Sequence, residues 1–183
     1  MKMKRIVIAM CVSAGVLTSL SGPAVHAHGG KAHVHGNAVL QVVMEGSQVE
    51  IALQSPMDNL VGFEHEPRTD QQRKAVQALR EQFHKPASLF VLNAEAGCKV
   101  QDVELDLPFR EGRGADSHGH GHESHADIES VVRYQCEHPA LLKSIDLALF
   151  DRFSGIHRID AQVVSVRGQS AARLTPKQRK LQW

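Results

Sequence analysis

Residues 38–55 read AVLQVVMEGSQVEIALQS, and the fold turns on their period. Leu40, Val42 and Met44 fall on alternate positions, as do Val49, Ile51 and Leu53, with Glu45-Gly46-Ser47 between the two runs. Side chains alternate across an extended strand, so each run presents one apolar face, and the glycine-bearing break turns the chain back. The stretch is predicted to be a β-hairpin with one buried face.

The same period recurs downstream. In CKVQDVELDL (98–107), Val103, Leu105 and Leu107 face in while Asp102, Glu104 and Asp106 face out; in DIESVVRYQC (127–136), Ile128, Val132, Tyr134 and Cys136 alternate inward. ASLFVL (87–92), SIDLALF (144–150) and GIHRIDAQVVSV (155–166) are predicted strands, GQSAARL (168–174) is a candidate for another, and the tail TPKQRKLQW (175–183) is expected to be exposed or weakly docked. One segment changes period. In TDQQRKAVQALREQF (69–83), Val76, Leu79 and Phe83 keep helical spacing, Thr69 and Gln72 form a capping-box pair, and Lys85-Pro86 stops the helix. The expected fold class is α+β: a single domain rich in antiparallel β-sheet, with one main helix and a long His-rich loop.

The N-terminus reads differently. In MKMKRIVIAMCVSAGVLTSLSGPAVHA (1–27), Lys2, Lys4 and Arg5 precede an apolar run from Ile6 to Leu20 and then small residues, the pattern of a cleavable secretory signal. Val25 and Ala27 suit cleavage after Ala27, with Ala24 as the alternative; the run is short for a bilayer span, which takes about 20 residues. Residues 28–183 would then form one exported domain, with no membrane anchor left after cleavage. Lys+Arg would fall from 21 to 18 against 20 Asp+Glu, moving the formal charge from +1 to −2. With aromatics at 4% and no basic patch, a nucleic-acid partner is not expected. Cys11 leaves with the signal, and the remaining Cys98 and Cys136 are expected to form a disulfide in an oxidising compartment, free thiols acting as metal ligands being the competing reading.

The chemistry lies in the histidines. Segment 116–127, DSHGHGHESHAD, carries His118, His120, His122 and His125 among small and acidic residues, within a loop predicted over 111–127. Such a tract is a compositional metal signal, and binding must offset about 1–2 kcal/mol per residue ordered, so weak, multiple, exchangeable sites are expected. HGGKAHVHGN (28–37) holds His33 and His35 two apart; if strand geometry reached them, both would point away from the Leu40 face. A further ligand would come from FEHEP (63–67), which offers His65 with Glu64 or Glu66. His84, His138 and His157 are scattered and are assigned to no site. Protons compete with metal for imidazole lone pairs, so binding should weaken below the imidazole pKa near 6.5.

The text from HVHGNAVLQVVMEGSQVEIALQSPMDNLVGFEHEP (33–67), with the paired cysteines, the His-rich tract and LALFDRFSGIHRIDAQVVSVRGQ (147–169), resembles the ZrgA-type family of periplasmic zinc-binding proteins linked to zinc uptake. The resemblance implies a periplasmic protein that binds Zn2+ and assists its acquisition. His33, His35 and His65 would be ligands, His118, His120, His122 and His125 accessory ones, and a zinc ABC transporter or its binding protein the partner. The residues alone establish only an exported metal binder. Copper or nickel buffering competes, because nitrogen sites favour Cu2+ over Zn2+. No enzymatic activity is expected: H-E-x-x-H, G-x-S-x-G, the P-loop and the dinucleotide fingerprint are absent, which weighs against a zinc hydrolase.

Overall fold

The hairpin forms where the alternation places it. Strand β1 (Asn37–Glu45) pairs antiparallel with β2 (Gln48–Pro56), setting Leu40 opposite Leu53 and Val42 opposite Ile51, all buried. The turn narrows to Gly46-Ser47, with Gly46 at φ 59°, a left-handed conformation that glycine adopts without steric cost. This computed structural model describes residues 34–109 and 126–183. The chain divides into two units, Met1–Lys31 and Ala32–Trp183, and only the second falls among the described residues. The predicted signal segment, His33 and the four histidines of the 116–127 tract lie outside them.

The helix over 70–83 is as expected. Helix α1 (Asp58–Val61) is one turn, and α2 (Asp70–Phe83) is the main helix, opened by the predicted capping box: the Gln72 amide donates to Thr69 Oγ1 at 3.2 Å and the Thr69 amide to Gln72 Oε1 at 3.3 Å. Val76, Leu79 and Phe83 are its buried face, and Phe83 stacks on Phe153 at 5.9 Å. Strands β3 (Phe90–Leu92), β4 (Cys98–Asp106), β5 (Asp127–Cys136) and β6 (Ser144–Leu147) follow, then helix α3 (Leu149–Arg152) and strands β7 (Arg158–Ser165), β8 (Gly168–Leu174) and β9 (Lys180–Gln182). Two sheets result, β4-β5-β2-β1-β7-β8 and β3-β6-β9, and their apolar faces join with α2 in one core.

Three expectations need correction. The main sheet is mixed, because β1 and β7 run parallel, Ala38 beside Ile159 and Leu40 beside Ala161. SIDLALF is a strand only to Leu147; Leu149 and Phe150 bury their side chains from a helical turn instead. The tail is docked, not loose. Leu181 is 1% exposed, β9 pairs with β6, and Arg179 forms ion pairs with Asp146 and Asp151. An isolated buried leucine in a polar tail carries too little periodicity to reveal this.

Pairing sorts the ends of the main sheet. The start of β1, the end of β2, the end of β4, the start of β5 and the start of β7 share one end, since Asn37 lies beside Arg158 and Pro56 opposite Asp127. The other end holds the Gly46 turn and the Cys98–Cys136 disulfide, directly opposed in the β4–β5 ladder. On the solvent face, Arg133 ties three strands by donating to Glu50 at 3.0 Å, Asp102 at 2.8 Å and Glu104 at 2.6 Å.

Replacing the disulfide by Cys98→Ala/Cys136→Ala frees a loop with a sequence separation of 38. It is expected to lower the unfolding free energy by about 4 kcal/mol, read from urea denaturation. Leu181→Ala should cost about 2–4 kcal/mol in the same measurement, and an unchanged midpoint would show the tail to be undocked.

Candidate metal centre

Three sequence segments far apart in the chain meet at the first end of the main sheet, and Asn59 joins them. Its side chain, 3% exposed, accepts from the Gly36 amide at 2.6 Å and donates to the Asn37 carbonyl at 2.9 Å and to Ser55 Oγ at 3.1 Å. A carboxamide is both donor and acceptor, so one residue satisfies the entrance to β1 and the exit of β2. Gly36 stands at φ 83°, and a Cβ there would come within 2.9 Å of His157 Nδ1. Its carbonyl accepts from the amides of both His157 and Arg158 at the start of β7. Gly155 completes the junction, since a Cβ there would lie 2.5 Å from the Asn59 carbonyl oxygen. Glycine is required at both positions.

This junction holds His35. The predicted strand geometry does not reach it: Asn37 opens β1, and His35-Gly36 form a turn closed by the Asn37 amide donating to the Val34 carbonyl at 3.0 Å. Parity with Leu40 therefore does not set its direction. The His35 ring, 64% exposed, lies between two carboxylates, with Nε2 3.3 Å from Glu64 Oε1 and Nδ1 3.7 Å from Asp58 Oδ2. Asp58 opens α1, and Gly62, left-handed at φ 81°, ends it and turns the chain toward Glu64.

His65 takes other neighbours. It is exposed, its ring stacks on Phe63 at 5.3 Å, and its Nδ1 is 2.8 Å from the Glu66 carbonyl oxygen. A carbonyl only accepts, so this contact is a hydrogen bond in the tautomer that carries its proton on Nδ1 and keeps its lone pair on Nε2. Phe63 in turn stacks on Phe109 at 6.1 Å, and the Met57 amide donates to the Ala126 carbonyl at 2.8 Å. Phe109 and Ala126 are the described residues flanking positions 110–125. The two described residues that border positions 110–125 thus join the fold on segment 57–65.

Among the described residues no group of three or more His, Cys, Asp or Glu is arranged to hold a metal. What the segment provides is incomplete sets of nitrogen and oxygen donors, the ligand chemistry of borderline divalent ions. Among the described residues no thiol joins them, because Cys98 and Cys136 are bonded to each other at the opposite end of the sheet. On the far side of Asp58, an open cleft of about 530 Å³ runs between α1, α2 and residues 152–155, lined by Asn59, Leu79, Gln82, Arg152 and Ser154. The sequence reading placed Glu64 as an alternative to Glu66, and the geometry selects Glu64 as the neighbour of His35. It did not single out Asp58, a lone acid with no period to mark it, and it left His157 unassigned, whose packing on Gly36 depends on the parallel β1–β7 pairing.

The sequence model of a family described as ZrgA family zinc uptake protein matches residues 32–183, the whole of the second unit. No curated protein matches the chain.

Asn59→Ala leaves the Gly36 amide without its acceptor and removes two donated bonds. A loss of about 2–4 kcal/mol in unfolding free energy is expected, since each unsatisfied buried group costs about 1–3 kcal/mol. Thermal unfolding checks it, and a shift under about 2 °C would remove Asn59 from the centre of the junction.

Proposed function

This chain belongs to the ZrgA family of zinc uptake proteins, and from that premise we propose that it is a periplasmic zinc-binding protein that assists zinc acquisition. A site built on His33, His35 and His65 captures the ion, and His118, His120, His122 and His125 concentrate it or relay it. Residues 1–27 act as the cleaved export signal, and residues 28–183 form the working domain. Zinc is cargo, bound and released without chemical change, so the protein is not an enzyme on this reading. The partner that receives the ion is a zinc ABC transporter or its binding protein.

One observation supports the reading: the two described candidate histidines, His35 and His65, lie on the same end of the main sheet. His35 sits in the turn before β1, His65 follows the end of β2, and Phe109 and Ala126, which border positions 110–125, contact the same 57–65 segment. Tethering of this kind converts weak ligands into a high local concentration at the site. The donors are imidazole and carboxylate, which suit Zn2+ and, with greater raw affinity, Cu2+. A copper or nickel buffer is therefore the second reading, distinguished by competition under controlled free-metal levels.

Zinc titration with metal counting tests the proposal. Deletion of residues 117–125 is expected to lower the number of bound ions and to spare the tightest one. His33→Ala/His35→Ala should abolish the tightest one. A wild-type protein that took up no zinc at neutral pH would overturn the reading.

A further inference from the structure

We infer that Glu64 is an inner ligand of the metal beside His35 Nε2, and that Asp58 is the outer carboxylate that fixes the His35 ring. The inference rests on the zinc-binding reading and names two residues that the reading leaves out.

The geometry is specific. Tetrahedral zinc holds nitrogen and oxygen donors at about 2.0–2.2 Å, so two neighbouring ligand atoms stand about 3.3–3.5 Å apart. His35 Nε2 and Glu64 Oε1 stand 3.3 Å apart. That separation is the one a shared ion requires, and it joins an exposed ring to a carboxylate oxygen that is itself buried. Asp58 lies toward the other ring nitrogen, 3.7 Å from Nδ1, within ion-pair reach and longer than a hydrogen bond. Metal-bound imidazole nearly always presents its second N–H to a carboxylate or carbonyl, which sets the tautomer and aims the ligating nitrogen. The arrangement thus assigns opposite roles to two carboxylates on one short segment: Glu64, 23% exposed, on the metal side and Asp58, 39% exposed, behind the ring.

The scaffold supports the assignment. The Asn59 junction fixes the backbone of Gly36 on one side of His35, and Asn59 directly follows Asp58 in α1. Gly62 then returns the chain so that Glu64 faces the same ring. A purely structural ion pair would need only one carboxylate, whereas His35 has one at each nitrogen. Glu66, two residues on, has the same charge and no contact with His35 among the described ion pairs, which makes it the internal control.

The test measures the tightest zinc ion by competition with a chromophoric chelator, and the visible absorption of the Co2+-loaded protein. Glu64→Gln is expected to weaken the tightest ion at least tenfold and to shift the cobalt bands, because an oxygen ligand is lost. Asp58→Asn should weaken it about 10–100-fold while leaving the bands in place, because the inner ligands are unchanged. It should also move the 15N shifts of the metal-free His35 ring toward the Nε2–H tautomer. Glu66→Gln should leave affinity within twofold and the bands unmoved. Far-UV circular dichroism confirms folding, and Glu64→Asp, which keeps a carboxylate, should recover cobalt bands if Glu64→Gln folds poorly. Equal losses in Glu64→Gln and Glu66→Gln would reduce the effect to charge and overturn the inference. Unchanged affinity and bands in Glu64→Gln would overturn it while leaving zinc binding intact, and a wild type without zinc would instead bring down the reading beneath it.

Discussion

The carboxamide of Asn59 is the contact on which the rest of the structure leans. A buried amide left unpaired is costly, so its three hydrogen bonds dictate where its neighbours can be. They draw Gly36, Asn37 and Ser55 together, which is to say the entrance of β1 and the exit of β2. Gly36 in turn receives β7 through the His157 and Arg158 amides. The parallel β1–β7 ladder, the turn carrying His35 and the short helix carrying Asp58 are thus consequences of one satisfied polar group. Aspartate could not replace it, having no N–H to donate.

That junction also separates two kinds of chemistry. Covalent cross-linking occupies one end of the main sheet, where Cys98 faces Cys136, and imidazole and carboxylate occupy the other. On the proposed reading the separation matters, because the cargo is a borderline metal. A thiolate near the imidazoles would bind zinc or copper far more tightly and hinder release, and the cystine removes that donor altogether. On the proposed reading, modest nitrogen and oxygen ligands suit an ion that has to be passed on.

Much of this was legible in the sequence, and the limits are instructive. The hairpin, β4, β5 and α2 announce themselves because apolar residues at period two or at helical spacing leave a repeated signal, and the Thr69–Gln72 box marks a boundary by its own hydrogen bonds. Pairing partners are another matter. Nothing in Ala38, Leu40 and Val42 says that their second neighbour is β7, or that it runs parallel. The tail escaped because one leucine and one arginine do its docking. At the site, clustered histidines were conspicuous and single residues were not. Asp58 gains its place beside His35 only from the fold, and the strand parity considered for His35 does not apply, because the Gly36 turn depends on a partner 23 residues away.

The β4–β5 ladder has a further implication. Its rungs from Cys98–Cys136 to Asp106–Glu129 fix where the chain departs and where it returns, whatever is spliced between. Closing a longer excursion costs little, about 0.6 kcal/mol for each doubling of length. Insertions and duplications there can therefore accumulate almost neutrally. On the proposed reading, capacity for the ion becomes a dial that evolution, or an engineer, can turn by copying a few codons, while the stapled sheet beneath stays the same molecule.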